Sequence, residues 1–105
     1  MAITSLKGRA LGDQVAGGSE VRGSIAGPAS YATGGFAADI ETDLGVSESD
    51  VDYVAIHATG GYLGEFDSTN DKIIAYVSGG TEVTATTDLS SETFYLTVKL
   101  AQTNN

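Results

Sequence analysis

Hydrophobic and polar residues alternate along several short stretches of the chain, and this period of two predicts β-strands. In the clearest stretch, residues 93–100, the even-numbered side chains are apolar from Phe94 to Leu100. Weaker alternations cover residues 21–25 and 82–86. We expect each of these segments to be a strand with one face in the core and the other in contact with water.

Two further stretches, residues 51–58 and 72–77, are apolar on both faces after their first residues. This pattern is typical of central strands, or of strands that place one face against a partner. Residues 67–71 read Asp-Ser-Thr-Asn-Asp, and such side chains favour a turn because they bond nearby backbone amides. The pattern therefore predicts a β-hairpin over residues 62–77.

Helical signals are confined to residues 44–52, where Ser47 could cap a turn and Asp50 stands three residues later. Elsewhere the chain is rich in glycine, which interrupts helices, and in threonine, which suits a pleated surface. We therefore predict an all-β fold. It should be a small antiparallel β-sandwich, jelly-roll-like, formed as a single domain by residues 21–105.

The first 20 residues differ from the rest of the chain. They are rich in glycine and hold two of the five bases, Lys7 and Arg9, beside Leu6 and Leu11. We predict a Gly-rich N-terminal arm over residues 1–20 that is flexible when free. Because ordering the backbone costs about 1–2 kcal/mol per residue, the arm should order only against a surface. The leucines would then be apolar anchors, and the two bases would face acidic groups.

The charge balance narrows the range of partners. Fourteen acids oppose five bases, for a net charge of −9, so nucleic acids and anionic membranes would repel the chain. We expect neither as a partner. No apolar stretch approaches the roughly 20 residues needed to span a bilayer, and residues 1–12 lack the apolar core of a signal peptide. The expectation is a protein made in the cytoplasm and left unanchored.

Few side chains in the sequence could take part in catalysis or bind a metal or cofactor. The chain has no cysteine, which removes disulfides, thiolate metal sites and cysteine nucleophiles. His57 is the only histidine and lies within a predicted strand, so we interpret it as a partly buried strand residue. There is no G-x-S-x-G motif to supply a nucleophile. We predict no enzymatic activity and no cofactor, with a small hydrolase as the weakest alternative.

Acidic residues offer the main alternative chemistry. Six acids fall within residues 39–52 and could attract calcium, but they lack the spacing of an EF-hand loop. We interpret this segment as a solvated acidic loop and leave cation binding open. The pair Asp67 and Asn70 is explained by a turn without a metal. Glu65 and Asp67 resemble the paired carboxylates of a glycosidase, yet a short chain without tryptophan has little material for a sugar cleft.

Tyrosine is the residue type best suited to contact a partner here, because it joins an apolar body to a polar tip. Four of the five tyrosines lie on predicted strands, where they could equally belong to the core. Combining the aromatic residues with the arm gives our candidate partner-binding residues: Leu6, Lys7, Arg9, Leu11, Tyr31, Tyr53 and Tyr76.

Four segments resemble a family of small virion proteins of tailed bacteriophages, the capsid decoration or head cement proteins. The segments are YATGG, DLGVSESDVDYV, GGYLGEFDSTNDKIIAY and GTEVTATTDLSSETFYLTVKL, which together span residues 31–100. The resemblance implies a β-sandwich that binds the outside of the head shell and stabilises it by bridging capsomers. It implies no catalytic residues.

The resemblance also implies partners and a location. The partners would be the shell of the major capsid protein and further copies of the chain, with a trimer favoured over a dimer. The location would be the outer surface of the capsid in the virion, after synthesis in the host cytoplasm. The arm would dock on the shell or on a neighbouring copy. Two alternatives stay open: a tail or neck component, and a carbohydrate-binding adhesin module that stacks sugars on exposed tyrosines.

Overall fold

The computed structural model describes residues 2–6 and 20–101, and its main secondary structure is a set of seven strands. The strands are β1 (Thr4–Ser5), β2 (Glu20–Ala26), β3 (Phe36–Ala37), β4 (Val51–Ala58), β5 (Leu63–Asp67), β6 (Lys72–Tyr76) and β7 (Thr93–Leu100). The helix α1 covers Ile40–Leu44, and single 3₁₀ turns cover Glu48–Asp50 and Thr59–Gly61. The predicted all-β class is confirmed.

All seven strands belong to one antiparallel sheet that curls around the core, in the order β1-β2-β7-β4-β5-β6-β3. The central strand β7 pairs with both β2 and β4. The hairpin predicted over 62–77 is formed by β5 and β6. The strand predicted over 82–86 is not formed: only Glu82 makes a bridge, and Thr86 has a left-handed φ of 73°, which ends an extended run.

The core lies on the concave side of the curled sheet, where alternate side chains of the strands meet. On β7 the buried positions are Phe94, Leu96 and Val98, as the period-two pattern predicts. Phe36 of β3 packs edge-to-face on Phe94, with ring centroids 5.2 Å apart. Burying each side chain of this size contributes about 1.5–3 kcal/mol. The central strand is therefore fixed from its inner face, which leaves its outer face available.

The helix begins earlier than predicted. It starts after Asp39, whose carboxylate accepts hydrogen bonds from the Thr42 N–H at 3.1 Å and from the Thr42 hydroxyl at 2.9 Å. Ser47, the predicted cap, makes no capping bond with its side chain. Starting at residue 40 brings Ile40 fully into the core, and Gly45 in the left-handed conformation then ends the helix. Of the predicted span, only a 3₁₀ turn over Glu48–Asp50 is helical beyond α1.

Part of the predicted arm belongs to the sheet. β1 pairs with Gly23 and Ser24 of β2, and Ile3 is buried with 4% of its surface exposed. The Ile3 N–H donates to the Asp43 carboxylate at 3.0 Å. A Cβ on Gly23 would lie 2.6 Å from the Ile3 side chain, so this glycine makes room for β1. The arm prediction does not hold for residues 2–6, which contain the edge strand β1, and Glu20 already belongs to β2.

Candidate functional site

The outer face of the sheet, which points away from the core, carries a row of aromatic and apolar side chains. Four neighbouring strands contribute one residue each to what we call the outer-face row: Tyr95 of β7, His57 of β4, Leu63 of β5 and Tyr76 of β6. Each is paired directly with the next across the strands. Leu63 is 48% exposed although it is a large apolar residue. The row therefore offers a continuous contact surface on a rigid sheet.

His57 and Tyr95 stack on each other in the middle of this row. Their ring centroids lie 5.3 Å apart with an interplanar angle of 26°. His57 is on a strand as predicted, but it is exposed, because the odd-numbered residues of β4 face outward. Across residues 2–6 and 20–101, His57 makes no hydrogen bond to a carboxylate or hydroxyl side chain. The arrangement supplies a flat contact surface.

A shallow depression of about 210 Å³ lies beside the row, between β2 and β4. Leu6, Arg22, His57, Tyr95 and Thr97 are among the residues that line it. Thr97 is opposite Arg22 in the register of β2 and β7, and its short side chain leaves the space between its larger neighbours. The depression thus combines apolar walls, a guanidinium group and a hydroxyl.

The basic residues of the sheet are concentrated on this outer face. Arg22 on β2 and Lys99 on β7 both point outward, since the inward positions of their strands are buried. No ion pair to a carboxylate forms for Arg22, Lys72 or Lys99 within the part of the chain that the structure describes. In a chain with a net charge of −9, these cations share the outer face with two acids, Glu20, which is paired with Lys99, and Glu65, which is bonded to Tyr76.

The three tyrosines that were predicted to contact a partner lie in different environments. Tyr53 is 53% exposed on the outer face, opposite Lys99. Tyr76 belongs to the outer-face row, and its hydroxyl donates to Glu65 at 2.9 Å. Tyr31 is instead a core residue with 1% of its surface exposed, so its predicted contact with a partner does not fit the structure.

Of the four arm residues that were predicted to bind a partner, the structure describes one. Leu6 is exposed and lines the depression. Lys7, Arg9 and Leu11 lie outside the described residues. Arg22 and Leu63 are not among the residues predicted from the sequence to bind a partner. The alternation within their segments points both outward, but their place in one surface depends on pairing between strands distant in sequence.

A second feature is a cleft where β4 and β5 diverge. These strands pair only at Ile56 with Gly64 and at His57 with Leu63. Beyond that point a cleft of about 370 Å³ opens between them, which we call the β4–β5 cleft. Its lining combines apolar and acidic side chains: Ile40, Glu48, Val51, Asp52, Tyr53, Val54, Glu65 and Phe66, together with Ser68.

Glu48 is the unusual acid of this cleft. Its Oε2 is buried and has no hydrogen-bond partner among the described residues. A hydrogen bond to the Asp71 carboxyl, followed by burial and by repulsion from Asp71, Glu41 and Asp39, raises the pKa of Glu48 to about 7. That bond requires a shared proton, so the ionised pair is left unsatisfied. The predicted solvated acidic loop therefore has one member, Glu48, with a carboxylate oxygen that is withdrawn from water.

The turn predicted between β5 and β6 is confirmed by its hydrogen bonds. The Asp67 carboxylate accepts from the backbone N–H groups of Thr69 at 3.0 Å and Asn70 at 3.3 Å, and from the Asn70 side-chain amide at 2.9 Å. The bond from the Asn70 side chain is the main cause that lowers the pKa of Asp67. Both Asp67 oxygens are used locally, which explains the Asp and Asn residues without any ligand.

Comparison with known proteins adds no assignment: no family model, no characterised protein and no solved structure matches the chain. Over residues 2–6 and 20–101, no three histidine or acidic side chains come close enough together to hold a metal ion. No described helix has the length and apolar character to cross a membrane.

Proposed function

We propose that this chain is a decoration protein of a tailed-phage head, which binds the outside of the capsid shell through the outer face of its sheet. The observation that carries the proposal is the outer-face row beside the cations Arg22 and Lys99, which form no ion pair among residues 2–6 and 20–101. The resemblance of residues 31–100 to head decoration proteins supports the choice of partner. The outer face is suited to binding, since interfaces are rich in tyrosine and arginine.

Electrostatics would orient the protein on the shell. Arg22 and Lys99 lie on the outer face, whereas five of the six acids of residues 39–52 lie on α1, at its N-cap or in its connection to β4. An acidic shell surface would attract the outer face and repel the acidic segment. The net charge of −9 would also keep free subunits soluble and away from packaged DNA.

The mechanism would be additive and would involve no chemical step. Each subunit would make a modest contact with neighbouring capsomers, and many copies would together resist outward pressure on the shell. If copies join in an oligomer, attachment of one raises the effective concentration of the next. The gain in particle stability would then exceed that of any single contact.

A carbohydrate-binding module is the second candidate, and one observation favours it. The stacked rings of His57 and Tyr95 border a depression that also holds Arg22 and Thr97. Sugars bind to such exposed rings by stacking and to polar groups beside them by hydrogen bonds. Arrays of immobilised glycans would test this candidate separately from head binding.

Co-sedimentation with heads that lack the protein, prepared from the phage that encodes it, tests the proposal. We expect the parent to bind, and Leu63→Lys or Arg22→Glu to bind about tenfold or more weakly. The matched control is Val77→Lys, at an exposed apolar residue outside the row. A control that binds like the parent would support the outer face. A folded parent that does not bind heads would contradict the proposal.

A further inference from the structure

The β4–β5 cleft is closed at one end by paired strands and at the other end by side chains. At the first end, β4 and β5 share two residue pairs. The other end lies between residues 45–50, which connect α1 to β4, and residues 68–71, which form the turn between β5 and β6. No main-chain hydrogen bond joins these two segments within the part of the chain that the structure describes. A contact between side chains must therefore hold that end together.

Glu48 and Asp71 supply this contact. Their carboxyl groups form a hydrogen bond with each other. Ionised carboxylates can only accept, so the bond forms only while the pair holds a proton. The N–H of Glu48 donates to the Glu41 carboxylate at 2.9 Å, and the carbonyl of Asp71 accepts from the Ala38 N–H at 2.9 Å. Both members of the Glu48–Asp71 pair are thus anchored through their own backbones.

Burial makes the ionised form of this pair unfavourable. The Oε2 atom of Glu48 is buried and has no hydrogen-bond partner among the described residues. A charged oxygen in that position lacks both water and a donor. Loss of the proton therefore favours a movement that lets water reach Glu48, and the two segments must separate to admit it.

The charges around Glu48 strengthen this effect. The charged groups that act on it or line its cleft are all acids among the described residues: Asp39, Glu41, Asp71, Asp52 and Glu65. The base closest in sequence to the turn, Lys72, lies opposite Asp67 in the pairing of β5 and β6. An ionised Glu48 therefore meets only like charges, which push the two segments apart.

The hydrogen bonds that keep each segment folded do not depend on the same proton. The Asp67 carboxylate organises the turn, and the bond from the Asn70 side chain is the main cause that lowers its pKa. The bonds from the Thr42 N–H and hydroxyl likewise lower the pKa of Asp39, which caps α1. Both acids therefore stay ionised when Glu48 loses its proton. The turn and the helix keep their shape, and only the contact between the segments changes.

We infer that the Glu48–Asp71 pair is a proton-controlled latch on the β4–β5 cleft. With its proton the pair holds residues 45–50 against the turn, and without it the two segments move apart. Opening exposes the apolar side chains of Val54 and Phe66, which line the cleft. The latch opens as the pH rises through neutrality, because the bond to Asp71, burial and repulsion raise the pKa of Glu48 to about 7. It does not depend on binding to a phage head, which the outer face would mediate.

The distance between two spin labels tests the latch. The chain has no cysteine, so labels attach only where Ser49→Cys and Thr69→Cys place one exposed thiol in each segment. Pulsed electron–electron double resonance measures the distance at about pH 5.5 and about pH 8.5, on either side of the transition. We expect a longer distance at the higher pH. An equal distance at both would overturn the inference.

Glu48→Gln and Asp71→Asn, each made in the labelled chain, test the role of the proton. Each variant replaces a carboxyl group by an amide, which donates a hydrogen bond to the remaining carboxylate at any pH. Asparagine also tolerates the left-handed φ of 55° at position 71. Both variants should therefore keep the short distance at the higher pH. A folded variant whose distance still lengthens would contradict the latch.

Asp52→Asn is the matched control, since it removes an acid from the cleft lining and leaves the Glu48–Asp71 pair intact. Its distance should lengthen with pH as in the labelled parent, and loss of that shift would show that general repulsion opens the cleft. The far-ultraviolet circular dichroism of each labelled chain should be the same at both pH values. A β-sheet signal that disappears at the higher pH would show unfolding of the domain and would also overturn the inference.

Discussion

The hydroxyl of Tyr31 donates a hydrogen bond to the Glu82 carboxylate over 2.8 Å. It also accepts one from the backbone N–H of Ala75 over 3.0 Å, and Glu82 accepts a second bond from the Gly34 N–H over 2.8 Å. Burial is the main cause that raises the pKa of Tyr31 to about 12, so the hydroxyl keeps its proton. These bonds fasten the loop before β3 to β6 and to the segment that follows it.

Tyr31→Phe should destabilise the fold without changing the outer face. The change removes both hydrogen bonds of the hydroxyl and leaves the buried Ala75 N–H unsatisfied, at a cost of about 1–3 kcal/mol. The thermal midpoint should fall by about 4–8 °C per kcal/mol. Tyr53→Phe, which alters an exposed ring, is the control and should change stability by less than about 0.5 kcal/mol. Equal midpoints for the two variants would show that the Tyr31 hydroxyl contributes nothing.

Stability should depend on pH through Glu48. Its pKa is raised from 4.5 to about 7, so the folded state binds a proton more tightly than the unfolded state does. The free energy of unfolding should therefore fall as the pH rises from about 4.5 to 7 and be level above that range. Urea titrations at intervals of pH measure it. Glu48→Gln should remove this slope and stabilise the protein at pH 8, and an unchanged slope would contradict the assignment.

At low pH, protonation of Asp39 at the helix cap should lower the free energy of unfolding. The hydrogen bonds from Thr42, its backbone N–H first, lower the pKa of Asp39 below 3.8. The stability that these bonds contribute is present above that pH and is lost as the pH falls further. Asp39→Ala should lower the thermal midpoint at pH 7 but have little effect near pH 2. Asp52→Ala, at an exposed acid without a capping bond, is the control, and an equal loss in both variants would contradict the cap.

Gly23→Ala tests whether β1 belongs to the fold. The added Cβ would lie 2.6 Å from Ile3 and 3.1 Å from Leu44, so β1 must shift, at a cost of about 1–3 kcal/mol. Ser24→Ala, at the next residue, adds no such clash and should be nearly neutral. Denaturation followed by circular dichroism compares the two. A fully stable Gly23→Ala variant would mean that β1 does not pack on β2 in solution.

Local sequence patterns predict those parts of the fold that depend on interactions between residues close in sequence. The alternation through β7 and the turn residues Asp67 and Asn70 act within a few residues, so the strand and the hairpin could be predicted. β1 could not be predicted, because two residues become a strand only by pairing with Gly23 and Ser24, far along the chain. The burial of Tyr31 likewise comes from Glu82 and β6, and loop residues have no periodicity to signal it.

The candidate site likewise has a part that local sequence predicts and a part that depends on the strand order. Alternation within β4 already points Tyr53 and His57 to one face. The neighbours of His57 on that face, Tyr95 and Leu63, follow only from the strand order β7-β4-β5, which local sequence does not encode. The β4–β5 cleft was also beyond prediction, since it arises where pairing stops after two residue pairs.

Electron cryo-microscopy of heads purified with and without this protein shows whether it binds the head. We expect added density on the outside of the shell, where capsomers meet, into which the sheet fits with Tyr95 and Leu63 turned toward the capsid. The density should be absent from heads that lack the protein. Identical maps of the two preparations, or density confined to the tail or neck, would rule out binding to the outside of the head.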